Sequence, residues 1–234
     1  MSYPMLEKFS RTAEARKTQL VVVFALAALA SPAESLPPRT AAAIEPPRSE
    51  EWRGPGRDRW QMPAEVLTAL ELRKGNVVAD IGAGIGYFTL RFAKAVGPRG
   101  RVDAVDINSR VLAYLEDQAQ KQNLTNIKII VSRADDPLLP PASVDVAFLC
   151  ETVHEITDRV AFYRKVRRAL KGNGRMAVIE SLPASRTTPP PEHWEEGRIS
   201  RDLTVREAEQ AGFRLIREPK FLDRQYFLIF RRSK

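Results

Sequence analysis

The chain's 234 residues leave room for one domain plus an appendage, and an apolar content of 44% is ordinary for a chain that buries a core. The formal charge of +8 is spread rather than blocked: the first fifty residues hold six Lys/Arg and five Glu, leaving 31 against 24 for the remainder. No arginine–aromatic recognition pattern accompanies that surplus, so it reads as a solvated surface with no specific nucleic-acid partner, and a lone cysteine, Cys150, excludes an intrachain disulfide framework.

In chain order, residues 1–33 stand apart. Lys8, Arg11, Arg16 and Lys17 precede an eleven-residue apolar run from Leu20 to Ala30, and Ser31-Pro32-Ala33 follow. A basic segment, a short apolar core and a small-residue exit predict a signal peptide or another targeting or anchoring segment, too short to span a bilayer comfortably. Cleavage and export would place the protein in the periplasm; otherwise it stays cytoplasmic, or associates with a membrane surface through its N-terminus. Both addresses stay open. Residues 34–56, with Pro37-Pro38, Pro46-Pro47 and Pro55, predict an extended linker, so the domain is expected to occupy 57–234.

Pro63 suits a helix start, and Val66, Leu67, Leu70 and Leu72 continue that helix to Lys74-Gly75. A strand is predicted over 76–82, then a helix over 87–96, a strand over 101–106, a helix over 109–122, and strands over 127–132 and 144–150. Next comes a helix from Asp158 to Leu170, with Lys171-Gly172-Asn173-Gly174 as its glycine C-cap. A strand over 175–181, a helix over 204–211 and strands over 213–218 and 225–231 complete the pattern. Alternation of this kind predicts an α/β, Rossmann-like doubly wound sheet, mostly parallel, whose last two strands form a hairpin.

Within that frame Val77-Val78-Ala79-Asp80-Ile81-Gly82-Ala83-Gly84-Ile85-Gly86 is the most informative stretch. An apolar strand empties into Gly82, Gly84 and Gly86, whose lack of side chains lets backbone N–H groups approach a ligand. The spacing is not the G-x-G-x-x-G of dinucleotide sites, because Tyr87 stands where the last glycine would fall. Asp80 ends the strand with a carboxylate that repels a diphosphate and attracts a cation. S-adenosylmethionine is such a cation, with an ammonium, a sulfonium, a ribose and no phosphate. Twenty residues after Gly86 the next strand ends in Asp106, placed to accept hydrogen bonds from ribose hydroxyls.

Asp80 to Gly86 followed by Val105-Asp106 resembles motifs I and II of class I S-adenosylmethionine-dependent methyltransferases, nearest to the small-molecule branch of ubiquinone/menaquinone biosynthesis. The likeness covers roughly residues 57–232. It implies a seven-stranded sheet with an antiparallel final strand, S-adenosyl-L-methionine as cofactor, and a small-molecule methyl acceptor. It also implies an acidic residue after the third strand that meets the adenine amino group. Asp135 and Asp136 both fit that place and Asp135 is favoured, with a turn residue as the ordinary alternative. The segment Arg57 to Pro63 resembles a lead-in that lids the cofactor, with Trp60 over its methionine end or merely pinning the linker to the core.

Cys150-Glu151-Thr152-Val153-His154-Glu155 leaves the fourth strand, where relatives often carry paired histidines and this chain has His154-Glu155. Glu180 ends the fifth strand and His193 lies in the loop beyond, so both histidines of the chain are expected on the cofactor rim. If the acceptor is a hydroxyl or an acidic carbon, His154 is the first candidate for general base, with Glu180 or His193 second; an amine that binds deprotonated needs none. The sequence has no Cys-x-x-Cys or His-Glu-x-x-His metal pattern, no nucleotide-triphosphate loop and no hydrolase elbow. Three readings stand: a small-molecule methyltransferase, a methyltransferase on a macromolecule or lipid head group, and a cofactor-binding module without catalysis.

Overall fold

The structure is a computed structural model and describes residues 56–182 and 198–233. The predicted targeting segment 1–33, nearly all of the linker and His193 lie outside the described residues.

The described chain forms α1 (Gly56–Gln61), α2 (Pro63–Ala69), β1 (Val77–Ile81), α3 (Thr89–Val96), β2 (Arg101–Asp106), α4 (Ser109–Lys121), β3 (Ile127–Val131) and β4 (Val144–Cys150). A single 3-10 turn over Val153–Glu155 follows, then α5 (Arg159–Ala169), β5 (Leu170–Ser181), α6 (Arg201–Gln210), β6 (Phe213–Arg217) and β7 (Gln225–Arg232). The seven strands order as β3-β2-β1-β4-β5-β7-β6. All neighbours from β3 to β5 are parallel, whereas β7 runs antiparallel to both β5 and β6. The expected doubly wound sheet with an antiparallel last strand is therefore present.

Period-two alternation builds its two cores. Along β4, Val146 and Phe148 face one core while Ala147 and Leu149 face the other; along β7, Phe227 and Ile229 oppose Leu228 and Phe230. One core packs under α2 and α3, where Phe88, Phe92 and Phe148 meet with ring centroids 4.8–5.6 Å apart. The opposite core takes Phe162, Tyr163 and Val166 of α5 and Ala208 of α6. All these residues are essentially inaccessible, so the two cores fix the sheet between helical layers and leave only its ends to chemistry.

Two predicted boundaries are corrected. The segment Lys171 to Gly174 is not a left-handed cap: neither Gly172 nor Gly174 has a positive φ, Leu170 turns extended at φ −70°, ψ 136°, and β5 starts at once. Helix α2 also stops at Ala69, three residues short of Leu72. The carbonyls at its end are taken over from outside, Ala69 by Arg217 of β6 and Leu70 by Arg175 of β5, so strand side chains satisfy groups that another helical turn would have used.

The candidate cofactor and acceptor site

The sheet reverses its winding between β1 and β4, and the crevice outside the carboxyl ends of these strands is where ligands bind in open α/β sheets. The glycine loop opens there. Gly82 and Ala83 both donate to the Val105 carbonyl at 2.8 and 3.0 Å, tying the loop to β2. Gly82, Gly84 and Gly86 have φ of 77°, 52° and 88°, the left-handed region where glycine avoids the Cβ penalty. Their roles then separate. A Cβ on Gly82 would sit 2.1 Å from Thr152 Oγ1, and one on Gly86 2.1 Å from Leu115 Cδ1. A Cβ on Gly84 would meet nothing within 4 Å. The expectation that all three make room for ligand is thus refined: Gly82 and Gly86 admit neighbouring side chains, and Gly84 alone faces open space.

Asp106 ends β2 half-buried, its Oδ2 accepting the Gly84 N–H at 2.9 Å and its Oδ1 the Asn108 N–H at 2.8 Å. Both bonds orient the carboxylate beside the open glycine. Asp80 lies deeper, 3% exposed, with Thr89 Oγ1 donating to its Oδ2 at 2.5 Å. Burial pushes its pKa up to about 7, against the opposing pull of the Thr89 hydroxyl and of the Arg57 guanidinium. A carboxylate held so far above its ordinary range is primed to ionise against an incoming cation.

Helix α1 covers this region. Asp58 accepts from the Tyr87 hydroxyl at 2.7 Å and from Arg91 at 2.8 Å, which fastens α1 to the residues after the glycine loop. Arg57 is 7% exposed with its guanidinium carbon 3.7 Å from the Tyr87 ring centroid, and it donates to Gln61 Oε1. Trp60 is half-buried, with the guanidiniums of Arg57 and Arg224 6.0 and 5.9 Å from its ring centroid.

A second cluster occupies the ends of β4 and β5. Glu180, 2% exposed, accepts the Thr152 and Val153 N–H groups on Oε1 at 2.8 and 2.5 Å, and its Oε2 lies 2.7 Å from His154 Nδ1. The hydrogen bond to Glu180 raises the His154 pKa above its ordinary value. With Nδ1 directed at Glu180, Nε2 faces outward, 3.4 Å from the exposed Glu155 carboxylate. Glu151 sits beside this pair at φ 51°, accepting from Ser181 Oγ at 2.7 Å and from Gln225 Nε2. Burial, then the neighbouring Glu180, push the Glu151 pKa up. Gln61 Nε2 donates to Gln225 Oε1 at 2.6 Å, so α1 is joined through β7 to the acidic cluster.

In the sequence Glu151, Arg57 and Gln61 stand out only as members of segments, and nothing marks Gln225. Gln61 and Gln225 are 164 residues apart, and no local pattern marks either one. Asp135 and Asp136 both follow β3, and Lys165 of α5 reaches both, at 3.0 and 3.4 Å. Asp135 is exposed, while Asp136 accepts the Leu138 N–H at 2.8 Å as a turn residue does. Glu151, His154 and Glu180 also place donor atoms within 4.8 Å of one another, a spacing a cation could bridge. Glu180 and Glu151 Oε1 are already hydrogen-bonded within the protein, and His154 Nδ1 is paired with Glu180.

A family model described as a methyltransferase domain matches residues 72–206, more than half of the chain. The chain belongs to this methyltransferase family. It is 32% identical over 116 residues to the ubiquinone/menaquinone biosynthesis C-methyltransferase UbiE of Marinomonas sp., covering 49% of this chain and 46% of that protein. The UbiE of Pasteurella multocida is 30% identical over 110 residues, covering 47% and 41%. The chain spans less than half the length of these relatives. Among solved structures, a SAM-dependent methyltransferase from Aquifex aeolicus superposes with a TM-score of 0.71 at 25% identity, covering 77% of this chain and 95% of that one. A [4+2]-cyclase, SpnF, shares the fold alone, with a TM-score of 0.62 at 16% identity.

The domain is therefore a class I, S-adenosyl-L-methionine-dependent methyltransferase domain, and the residues present fit that cofactor. A Cβ on Gly84 would meet nothing within 4 Å, the Asp106 carboxylate is fastened beside it, and the buried Asp80 and Arg57 supply one acid and one base, group types that suit a ribose and an amino-acid end. Among the described residues no helix is long and apolar enough to cross a membrane.

Proposed function

We propose that this protein transfers a methyl group to a small-molecule acceptor by in-line displacement, at an oxygen or carbon that must lose a proton. The observation that carries this reading is the His154–Glu180 pair, 2.7 Å apart at the rim where β4 and β5 end. Bound S-adenosylmethionine supplies a methyl on a sulfonium that leaves as a neutral thioether, so alignment is the enzyme's main task. Asp106 and the Gly84 backbone would hold the ribose. Asp80 would pair with the ammonium, directly or through water, and Arg57 with the carboxylate. Trp60 and the rest of α1 would exclude water from above.

His154 would take the acceptor's proton on Nε2, while Glu180, fixed by two backbone N–H groups, holds Nδ1 and steadies the imidazolium. Glu151 has its Oε1 committed to Ser181 and Gln225 and would position the acceptor rather than take its proton. An amine acceptor would need none of this apparatus, which is why a base-bearing site favours a phenol, an enol or an activated ring carbon. The UbiE relatives are named as C-methyltransferases, which supports that class.

The test offers the full chain labelled S-adenosylmethionine with phenols and hydroquinones, amines and thiols in parallel. Transfer to a phenolic oxygen or ring carbon, lost in His154→Ala, is the expected result. Transfer to amines alone, indifferent to His154, contradicts the reading.

A further inference from the structure

The opposite end of the sheet carries a feature that methyl transfer does not use. Where β1, β4 and β5 begin and β7 ends, a cavity of about 230 Å³ is lined by Arg73, Lys171, Arg175 and Arg231, with Glu71 and Asp145 as its acids. It is smaller than the ~300–1,000 Å³ of pockets that enclose drug-sized ligands. Four cations against two carboxylates leave a net charge of +2.

Both acids are already engaged. Asp145 Oδ2 accepts from Lys171 Nζ and from the Val77 N–H, each at 2.8 Å, and Glu71 pairs with Arg217 at 2.9 Å. The Arg73 and Arg231 guanidiniums have no side-chain hydrogen bond or ion pair among the described residues, and Arg175 Nε is buried without an acceptor.

Strand register adds an independent observation. Arg175 of β5 lies directly opposite Arg231 of β7, and Arg231 lies directly opposite Arg214 of β6. Directly opposed residues share a sheet face, so three guanidiniums form a row across three adjacent strands, and like charges so placed repel. Burial is the main cause that lowers the Arg175 pKa; Glu71 opposes it, and the neighbouring Arg231 and Arg217 add to it. Arg175 also donates to the Leu70 and Glu71 carbonyls at the end of α2, whereas Arg231 has no such partner among the described residues.

We infer that this cavity is a binding site for a phosphate group, inorganic or carried as a monoester, whose dianion matches the surplus charge and the forked donors of converging arginines. It lies at the far end of the strands from Asp80, Asp106 and Glu180, so its occupancy is separable from cofactor binding.

The experiment uses the full chain, with thermal unfolding and titration calorimetry in inorganic phosphate, glycerol 3-phosphate, and sodium chloride at matched ionic strength. Saturable stabilisation by either phosphate but not by chloride is expected. The Arg73→Gln/Arg231→Gln double variant should bind about a hundredfold more weakly, roughly tenfold per charged hydrogen-bond donor removed. In phosphate-free buffer Arg231→Gln alone should melt no lower than the unsubstituted chain, since it breaks the row of like charges. Titration of S-adenosylhomocysteine into the same variants should be unchanged, which separates this site from the methyltransferase reading.

Vesicles of phosphatidylcholine with and without phosphatidate distinguish the source. Cosedimentation with phosphatidate that inorganic phosphate competes away assigns a lipid head group, whereas phosphate binding without cosedimentation assigns a soluble ligand. Stabilisation that chloride reproduces, or that survives the double variant, overturns the site.

Discussion

The two halves of the candidate site are built differently. The cofactor half, from β1 to β2, is built around backbone: three left-handed glycines and N–H groups shared with Val105, with Asp106 fastened to Gly84 and the buried Asp80 and Arg57 close by. The acceptor half, where β4 and β5 end, is made of side chains that reach one another from distant places, Gln61 to Gln225 and Ser181 to Glu151. A backbone device suits a ligand common to a whole family. A side-chain network can be rewired residue by residue, and suits the partner that differs from one member to the next.

That contrast predicts different kinds of damage, and the largest falls on the acceptor half. His154→Ala should lower kcat by about 10²–10⁴, the usual worth of a positioned base, with S-adenosylhomocysteine affinity unchanged. Glu180→Gln should have the smaller effect and move the acidic limb of the kcat/KM profile down, because the hydrogen bond to Glu180 holds the His154 pKa above 6.5. The same pairing contributes stability that is complete below pH 6.5 and is lost as pH rises through the raised value. A profile that does not move in Glu180→Gln would detach the two residues.

Next come two tests of the cofactor half. Arg57→Met should weaken S-adenosylhomocysteine about tenfold, the worth of one charge-assisted bond, and leave methylthioadenosine, which lacks the amino-acid end, unaffected. Equal losses for both ligands would make Arg57 a packing residue. Acidification should also weaken the homocysteine ligand, by about tenfold per pH unit below 7, as Asp80 takes up its proton near pH 7. For stability the sign is opposite. The folded chain holds this proton more tightly than an ordinary carboxylate of pKa 3.8, so Asp80 costs stability as pH rises from 3.8 toward 7. Asp80→Asn should flatten the binding slope.

The smallest effect separates two glycines of one loop. Gly84→Ala should cost about 1–2 kcal/mol of stability, the left-handed penalty for an L-residue, while its methyl protrudes where the ribose would lie and weakens binding. Gly86→Ala bears the same penalty and must also displace Leu115, so it should melt lower than Gly84→Ala. Paired melting curves check the order.

The fold was readable in the chain because its cause is periodic. Alternation along Val146 to Leu149 and helical spacing in α3 and α5 come from burial on two faces, and burial writes itself into local sequence. The glycine loop, Asp80 and Asp106 were readable for a related reason: each sits at a fixed distance from a strand end. The helix ending at Ala69 was not, because Arg175 and Arg217 that take its carbonyls come from strands more than a hundred residues away. Glu151 and Gln225 escaped for the same reason, since a polar network between strands leaves no period. The Asp135–Lys165 pair belongs to the same class, since its partners are thirty residues apart and no local pattern announces it.

The most direct measurement is titration calorimetry of the purified chain and its Asp106→Ala variant with S-adenosylhomocysteine and, separately, with NAD. The account predicts one site for the homocysteine ligand, weakened by about ten- to a hundredfold in the variant as charge-assisted bonds are removed, and no binding of NAD. A chain that binds NAD and ignores S-adenosylhomocysteine, or a variant that binds as tightly as the parent, would contradict it.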